Sequence, residues 1–270
     1  MSNTPLAWAA GNGHGEVVKL LLGRDDIDPN KLGEYAQTPL FRAARNGHDG
    51  VVKMLLGRDD IDPNKSDMCG GTPLLFAVWN EREGVVEMLL GRDDIDPDKP
   101  DVNGQTPLLR AARKGHEGIA KIPLGRDDSD PNRLYEDGEI PLIWAIWNEH
   151  EGIVEMIIER EDIDPDKLDE DGRTPLWWAC SRGNEEIVKM LLARDDVNPK
   201  KPAIDGQTPL LLAASYGNER IVKILLERVE VNPNKPDSQR LIPLRCAATI
   251  SYMEEVALLQ PPTPTANSSV

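Results

Sequence analysis

The tripeptide Thr-Pro-Leu, or a close relative, returns every 34 residues along this chain. It stands at Thr4-Pro5-Leu6, Thr38-Pro39-Leu40, Thr72-Pro73-Leu74, Thr106-Pro107-Leu108, Ile140-Pro141-Leu142, Thr174-Pro175-Leu176, Thr208-Pro209-Leu210 and Ile242-Pro243-Leu244. Eight copies at one unbroken spacing define a repeat array. A unit this short cannot bury its own apolar face, so each must pack on its neighbours. A length of 270 residues would otherwise suggest one or two globular domains. The period replaces that expectation with one elongated domain over residues 1–260, and a disordered tail over 261–270.

Residues 38–71 serve as the template unit. Thr38 suits an N-cap, and Pro39 suits the first helical position. Leu40, Ala43 and Ala44 share one face of a short helix, and Gly47 fits a left-handed cap at its end. A second helix begins near Asp49, with Val51, Val52, Met54, Leu55 and Leu56 as a wide apolar stripe. Gly57 closes it, and Arg58 to Asn64 form a loop. Cys69-Gly70-Gly71 then turns the chain into the next unit.

The pattern Thr-Pro-Leu-x-x-Ala-Ala-x-x-Gly-His-x-x-Val-Val-x-Leu-Leu-Leu, seen at residues 4–22 and 38–56, resembles the ankyrin repeat. The resemblance implies an all-α solenoid of eight helix-turn-helix units, short β-turn fingers and a concave groove. In that family the groove and the finger tips bind partners, usually proteins. The unit is one residue longer than the usual family length, and the Gly-Arg-Asp-Asp-Ile-Asp-Pro-Asn loop is the expected place of the extra residue. Its near-identity between units looks like recent duplication, as in ankyrin tracts of filamentous fungi. The last unit is expected to end at a short helix over 254–259.

Counting from the Thr of each Thr-Pro-Leu, offsets 2, 5 and 6 are the core. Offsets 4, 7 and 8 cluster on the opposite side of the first helix. All six tryptophans lie in first helices, five of them in these outer columns, in a chain with only 4% aromatics. Trp177, at offset 3, is the exception. Units two and four carry arginine at offsets 4 and 7, as Arg42, Arg45, Arg110 and Arg113. Units three and five carry aromatics there, as Phe76, Trp79, Trp144 and Trp147. Arginine and aromatic layers thus alternate every 68 residues, at a spacing that permits cation–π stacking. Such layers can stabilise one another without a ligand. Tryptophans exposed on a concave surface also mark a binding site.

Four departures stand out. Glu81 and Glu149 replace the cap glycine at offset 9, where a side chain resists left-handed backbone. Pro123 falls inside a second helix and should kink it. Ser129 replaces the loop isoleucine of the same unit, which makes that unit the expected weak point. His14, His48, His116 and His150 all occupy offset 10, and the resemblance implies that they order the turn between helices.

The formal charge of −16 disfavours nucleic acid and anionic membranes as partners. No run of residues approaches the length of a membrane span. Met1-Ser2-Asn3 leads straight into the first unit, which leaves no room for a signal peptide. Cys69, Cys180 and Cys246 lie too far apart for metal or redox pairing, and a reducing, cytoplasmic setting is expected. No metal or cofactor motif is present. Asp164, Asp166, Asp169 and Asp171 before Gly172 echo a calcium loop only faintly, because Leu168 interrupts it and the closing glutamate is missing.

Two functions follow. The first is a binding module whose groove holds a protein segment with acidic and apolar groups. Phe76, Trp79, Trp144, Trp147 and Trp178 would anchor it, and Arg42, Arg45, Arg110, Arg113, Arg173 and Arg182 would pair its acids. The second is a tryptophan-lined site for an aromatic or polyene small molecule, with cyclase- or isomerase-like acid–base chemistry of the kind used in fungal secondary metabolism. Glu81, Glu139, Glu149 and Tyr216 are its proton-handling candidates. A fragment of a larger receptor is a third, weaker reading.

Overall fold

A computed structural model describes residues 3–134, 138, 140–238 and 240–243. Among them are fourteen α-helices and no strand. The chain divides into two compact units between Ile163 and Asp164. The first holds α1 (Pro5–Gly11), α2 (Gly15–Leu22), α3 (Pro39–Asn46), α4 (Asp49–Leu56), α5 (Pro73–Trp79), α6 (Glu83–Leu90), α7 (Pro107–Lys114), α8 (Glu117–Leu124), α9 (Pro141–Trp147) and α10 (Glu151–Ile158). The second holds α11 (Pro175–Arg182), α12 (Glu185–Leu192), α13 (Pro209–Ser215) and α14 (Glu219–Leu226). The expected helix at 254–259, the tail, Glu139 and Cys246 lie outside the described residues.

Each Thr-Pro-Leu starts a helix for a local reason. The hydroxyls of Thr38, Thr72 and Thr106 accept the backbone N–H of Phe41, Leu75 and Leu109 at 3.0, 3.1 and 3.3 Å. Proline follows at a position whose N–H has no helical partner anyway. Each hydroxyl cap contributes about 1 kcal/mol. Ile140 supplies no such cap, and α9 starts on its proline alone.

In the first unit the odd-numbered helices stack in chain order from α1 to α9, and the even-numbered helices from α2 to α10. In the second, α11 packs on α13 and α12 on α14. Leu40, Ala43 and Ala44 are buried, as their spacing predicts. Offset 3 is a further core column: Phe41, Leu75, Leu109, Ile143, Trp177 and Leu211 are buried as well. Trp177, 7% exposed, is therefore a core residue. On the second helix Val51, Val52 and Leu55 are buried, but Met54 and Leu56 are only half-buried.

Glu81 and Glu149 do adopt left-handed backbone, with φ of 59° and 60°. Gly47 holds the equivalent place at 76°. The helix ends are kept at a strain on the order of 1 kcal/mol each. Pro123 does not interrupt its helix, because α8 runs on to Leu124. Proline removes the bond its N–H would have made to Ile119 and sets its ring against that carbonyl, but only one helical residue follows it, and Gly125 still donates to Lys121.

The near-identical loop is an inter-repeat staple. Arg92 grips Asp94 with two bonds of 2.7 Å and also donates through Nη1 to Leu56 O at 2.7 Å. Arg58 reaches Leu22 O at 3.2 Å, Arg160 reaches Leu124 O at 2.6 Å, and Arg126 reaches Leu90 O. Each arginine thus satisfies a carbonyl at the end of the preceding second helix, which no helical N–H can reach. Asn64 binds the next loop twice, accepting from Asp96 N–H at 2.8 Å and donating to Asp94 O at 2.7 Å.

The loop of the expected weak point has its own bonding pattern. Asp98 replaces that asparagine and cannot donate. It accepts from Asp130 N–H at 2.6 Å and from the Ser129 hydroxyl at 3.1 Å. Ser129 is only 2% exposed, so its hydroxyl needs this partner. Burial pushes the Asp98 carboxyl above its ordinary value, partly offset by the bonds from Asp130 and Ser129.

Candidate first-helix binding face

The site is built on fingers and first helices. In three fingers an aspartate closes the turn in this way: Asp101 Oδ1 accepts from Asn103 N–H at 2.9 Å and Gln105 N–H at 3.0 Å. Asp67 and Asp169 do the same in their own units. Successive fingers are joined through the backbone, Met68 N–H to Tyr35 O and Val102 N–H to Cys69 O, both at 3.0 Å. The second carboxylate oxygen is left to face offset 4 of the following helix. Asp101 Oδ2 accepts from Arg110 at 3.3 Å, and Asp169 Oδ2 accepts from Trp178 Nε1 at 2.9 Å.

The guanidinium groups then stack on rings. Arg42 Cζ lies 6.0 Å from the Trp8 ring centroid, and Arg110 Cζ lies 3.6 Å from that of Trp79. Both lean back toward the preceding unit. Arg45 leans forward onto Phe76 at 5.7 Å, and Arg113 onto Trp144 at 4.6 Å. Phe76 and Trp79 stack nearly parallel, with centroids 6.1 Å apart and planes 12° apart. Cations and rings therefore stack in three groups between α1 and α9: Trp8 with Arg42, Arg45 with Phe76, Trp79 and Arg110, and Arg113 with Trp144. Each stack contributes about 0.5–1 kcal/mol at exposed positions.

The two arginine columns are not equivalent. Arg42 is half-buried and its Nε donates to Gln37 Oε1 at 3.2 Å. Arg110 is held between Trp79 and Asp101, and burial pushes its guanidinium below its ordinary value against the pull of Asp101. Arg45 and Arg113 are exposed, and neither makes a hydrogen bond or ion pair with a described residue. The sequence placed all four in one class; the structure separates structural cations at offset 4 from open ones at offset 7.

Trp79 is 46% exposed and Trp147 40%, whereas Phe76 and Trp144 are half-buried. An open cleft lined by Trp8, Gly11, Gln37, Arg42, Arg45 and Asn46 lies at the start of this face. In the second unit Arg173 stacks on Trp177 and Trp178 at 4.8 and 5.2 Å and pairs with Asp171 at 2.8 Å. Arg182 is exposed at the end of α11.

The acid–base candidates are scattered. Glu81 and Glu149 are exposed, and Tyr216 in the second unit is 56% exposed. Glu81 Oε1 lies 3.1 Å from His116 Nε2. The carboxylates that burial pushes upward, Asp98 and Asp166, sit in the loop edge and not beside the tryptophans. His48 Nε2 lies 3.0 Å from Gly11 O, so it ties one unit to the turn of the unit before it. Among the described residues no cluster of His, Cys, Asp or Glu is set to hold a metal ion, and no described helix is long and apolar enough to cross a membrane.

Sequence reasoning missed Gln37, Asp101 and Asp169 as supports of this face. Their signal was present: Asp-x-x-Gly at 67–70, 101–104 and 169–172 always precedes offset 4 by nine residues.

Paired helices, backbone-linked fingers and a first-helix face of outward columns define a protein of the repeat-solenoid class. The family model described as ankyrin repeats (3 copies) matches residues 1–67, 60–133, 122–202 and 142–237. The chain belongs to the ankyrin-repeat family. Among solved structures it is similar to the ankyrin repeat domain of Bcl-3, described as a unique member of the IkappaB protein family. That match has a TM-score of 0.73 and 23% identity, over 83% of this chain and 100% of the other. It is also similar to EF0377, an ankyrin repeat protein, with a TM-score of 0.65 and 26% identity over 70% of this chain and 97% of the other. No curated protein matches the chain.

Proposed function

We propose that this protein is a binding module that holds a polypeptide segment on the first-helix face of its first unit. The observation that carries this reading is the partly exposed series of cation–ring stacks from Trp8 to Trp144. Rings already stacked and guanidinium groups already placed lose little freedom on binding, which is what a recognition surface requires. Trp79 and Trp144 are the apolar anchors, of the residue type that dominates interface energetics. Family membership supports the same reading, since ankyrin repeats commonly bind proteins. The Arg173, Trp178 and Arg182 group of the second unit is a further candidate surface of the same chemistry.

The test is selection of peptides from a displayed library on the native chain, followed by titration against a Trp79→Ala, Trp144→Ala double variant. Loss of at least about tenfold in affinity, with the helical circular dichroism intact, is expected for two anchor rings. Selected peptides that bind native chain and variant equally would place the interface elsewhere and end this proposal.

A further inference from the structure

The first-helix face carries two kinds of arginine, and only one kind is open. Arg42 gives its Nε to Gln37, and Arg110 gives Nη2 to Asp101 and is half-buried. Arg45 and Arg113 each lie on one ring, Phe76 or Trp144, and keep their N–H edges toward solvent. A guanidinium fixed by a ring and open at its edge is a preformed receptor for a carboxylate fork.

Charge points the same way. In the first unit, offsets 4, 7 and 8 include Arg42, Arg45, Arg110, Arg113 and Lys114 and not one acidic residue, on a chain whose formal charge is −16. A local cationic strip on so acidic a protein favours an anionic partner and repels a basic one.

Arg45 and Arg113 are equivalent positions two repeats apart, and both lean forward by one repeat. Helices packed about 8–10 Å apart put these two sites about 16–20 Å apart. An extended chain rises about 3.3 Å per residue, so about six residues span the gap. Positions i and i+6 face the same side of a strand, as do i+2 and i+4 between them. The middle of that span holds Trp79, 46% exposed with Arg110 stacked on it, while Phe76 is the ring beneath Arg45 at the first site.

We infer that the partner is an extended acidic peptide with carboxylates six residues apart, seated on Arg45 and Arg113, and apolar side chains between them over Trp79. This rests on the proposed polypeptide-binding role and adds its register and charge.

Two synthetic nonapeptides of identical composition test it. Gly-Glu-Ser-Leu-Ser-Leu-Ser-Glu-Gly has the required register; Gly-Leu-Ser-Glu-Ser-Glu-Ser-Leu-Gly exchanges acid and apolar positions on the same face. Titration by tryptophan fluorescence at low salt should show the first binding at least about fivefold tighter, the gain of one well-placed charge-assisted contact. Arg45→Gln with Arg113→Gln should erase that preference. The Lys substitutions, which keep charge but lose the planar fork, should retain only part of it. Equal binding of the two peptides, or a preference that survives in the Gln variant, overturns the inference. Tighter binding of an oligothymidylate of equal charge overturns it too, in favour of a phosphate backbone. If library-selected peptides depend on Trp79 and Trp144 but not on the two arginines, the polypeptide-binding role stands and the register alone fails.

Discussion

The first unit contains two arginine series, one on the loop edge every 34 residues and one on the first-helix face every 68. On the loop edge, Arg58, Arg92, Arg126 and Arg160 each grip an aspartate two residues on and a carbonyl of the preceding repeat. Every edge of those guanidinium groups is directed at the chain itself. On the first-helix face, Arg45 and Arg113 touch the chain only through a ring. One residue type is thus tied to the chain or left open according to whether its donors meet an acceptor. Changing one of these loop-edge arginines removes the side-chain donor to a carbonyl at the end of the preceding second helix.

The largest separation between the two series should appear in stability. Arg92→Ala removes the bond to Leu56 O together with the fork to Asp94, and a cost of about 2 kcal/mol is expected in urea unfolding. Arg113→Ala removes one exposed stack and should cost no more than about 1 kcal/mol. Equal costs would break the distinction. Asp94→Ala should cost less than Arg92→Ala, because the exposed fork is worth little by itself and the carbonyl bond carries the effect.

A smaller effect sharpens the loop side. Asp98 and Ser129 replace the Asn and Ile of sister loops and are bonded to each other. Asp98→Asn or Ser129→Ile alone breaks that pair. The double substitution restores the arrangement of Asn64 with its neighbouring loop. A double-mutant cycle should show a favourable coupling of about 1 kcal/mol. Additive effects would show the two residues to be independent.

The smallest effect is in pH dependence. Burial raises the folded Asp98 carboxyl above its unfolded value of about 4. Between those values the folded chain binds the extra proton. Stability from this group therefore falls as pH rises through that window and is level above it. The Asp94 carboxylate, held low chiefly by its bonds from Arg92, acts with the opposite sign: its contribution is lost as pH falls. Subtracting the urea–pH profile of Asp98→Asn from that of the native chain should isolate the falling slope. An unchanged profile would show that Asp98 titrates as an ordinary carboxyl.

The helix starts were legible because Thr and Pro act within four residues of themselves. The core columns at offsets 2, 5 and 6 were legible because helical geometry is fixed by spacing. Offset 3 was not, since whether a fourth column is buried depends on how far the helix is rolled against its neighbours. Pro123 was read by a rule for helix interiors and met a helix about to end. Ser129 read as a defect, because its partner Asp98 is 31 residues away in sequence.

The sequence by itself determined the period, the helix pairs, the repeat family and the alternation of arginine and aromatic layers, all of which follow from local chemistry repeated at a constant spacing. Only the tertiary structure decided which guanidinium groups are spent and which are open. That depends on acceptors supplied by fingers and rings of adjacent repeats, and a donor's availability is a property of its surroundings and not of its residue type.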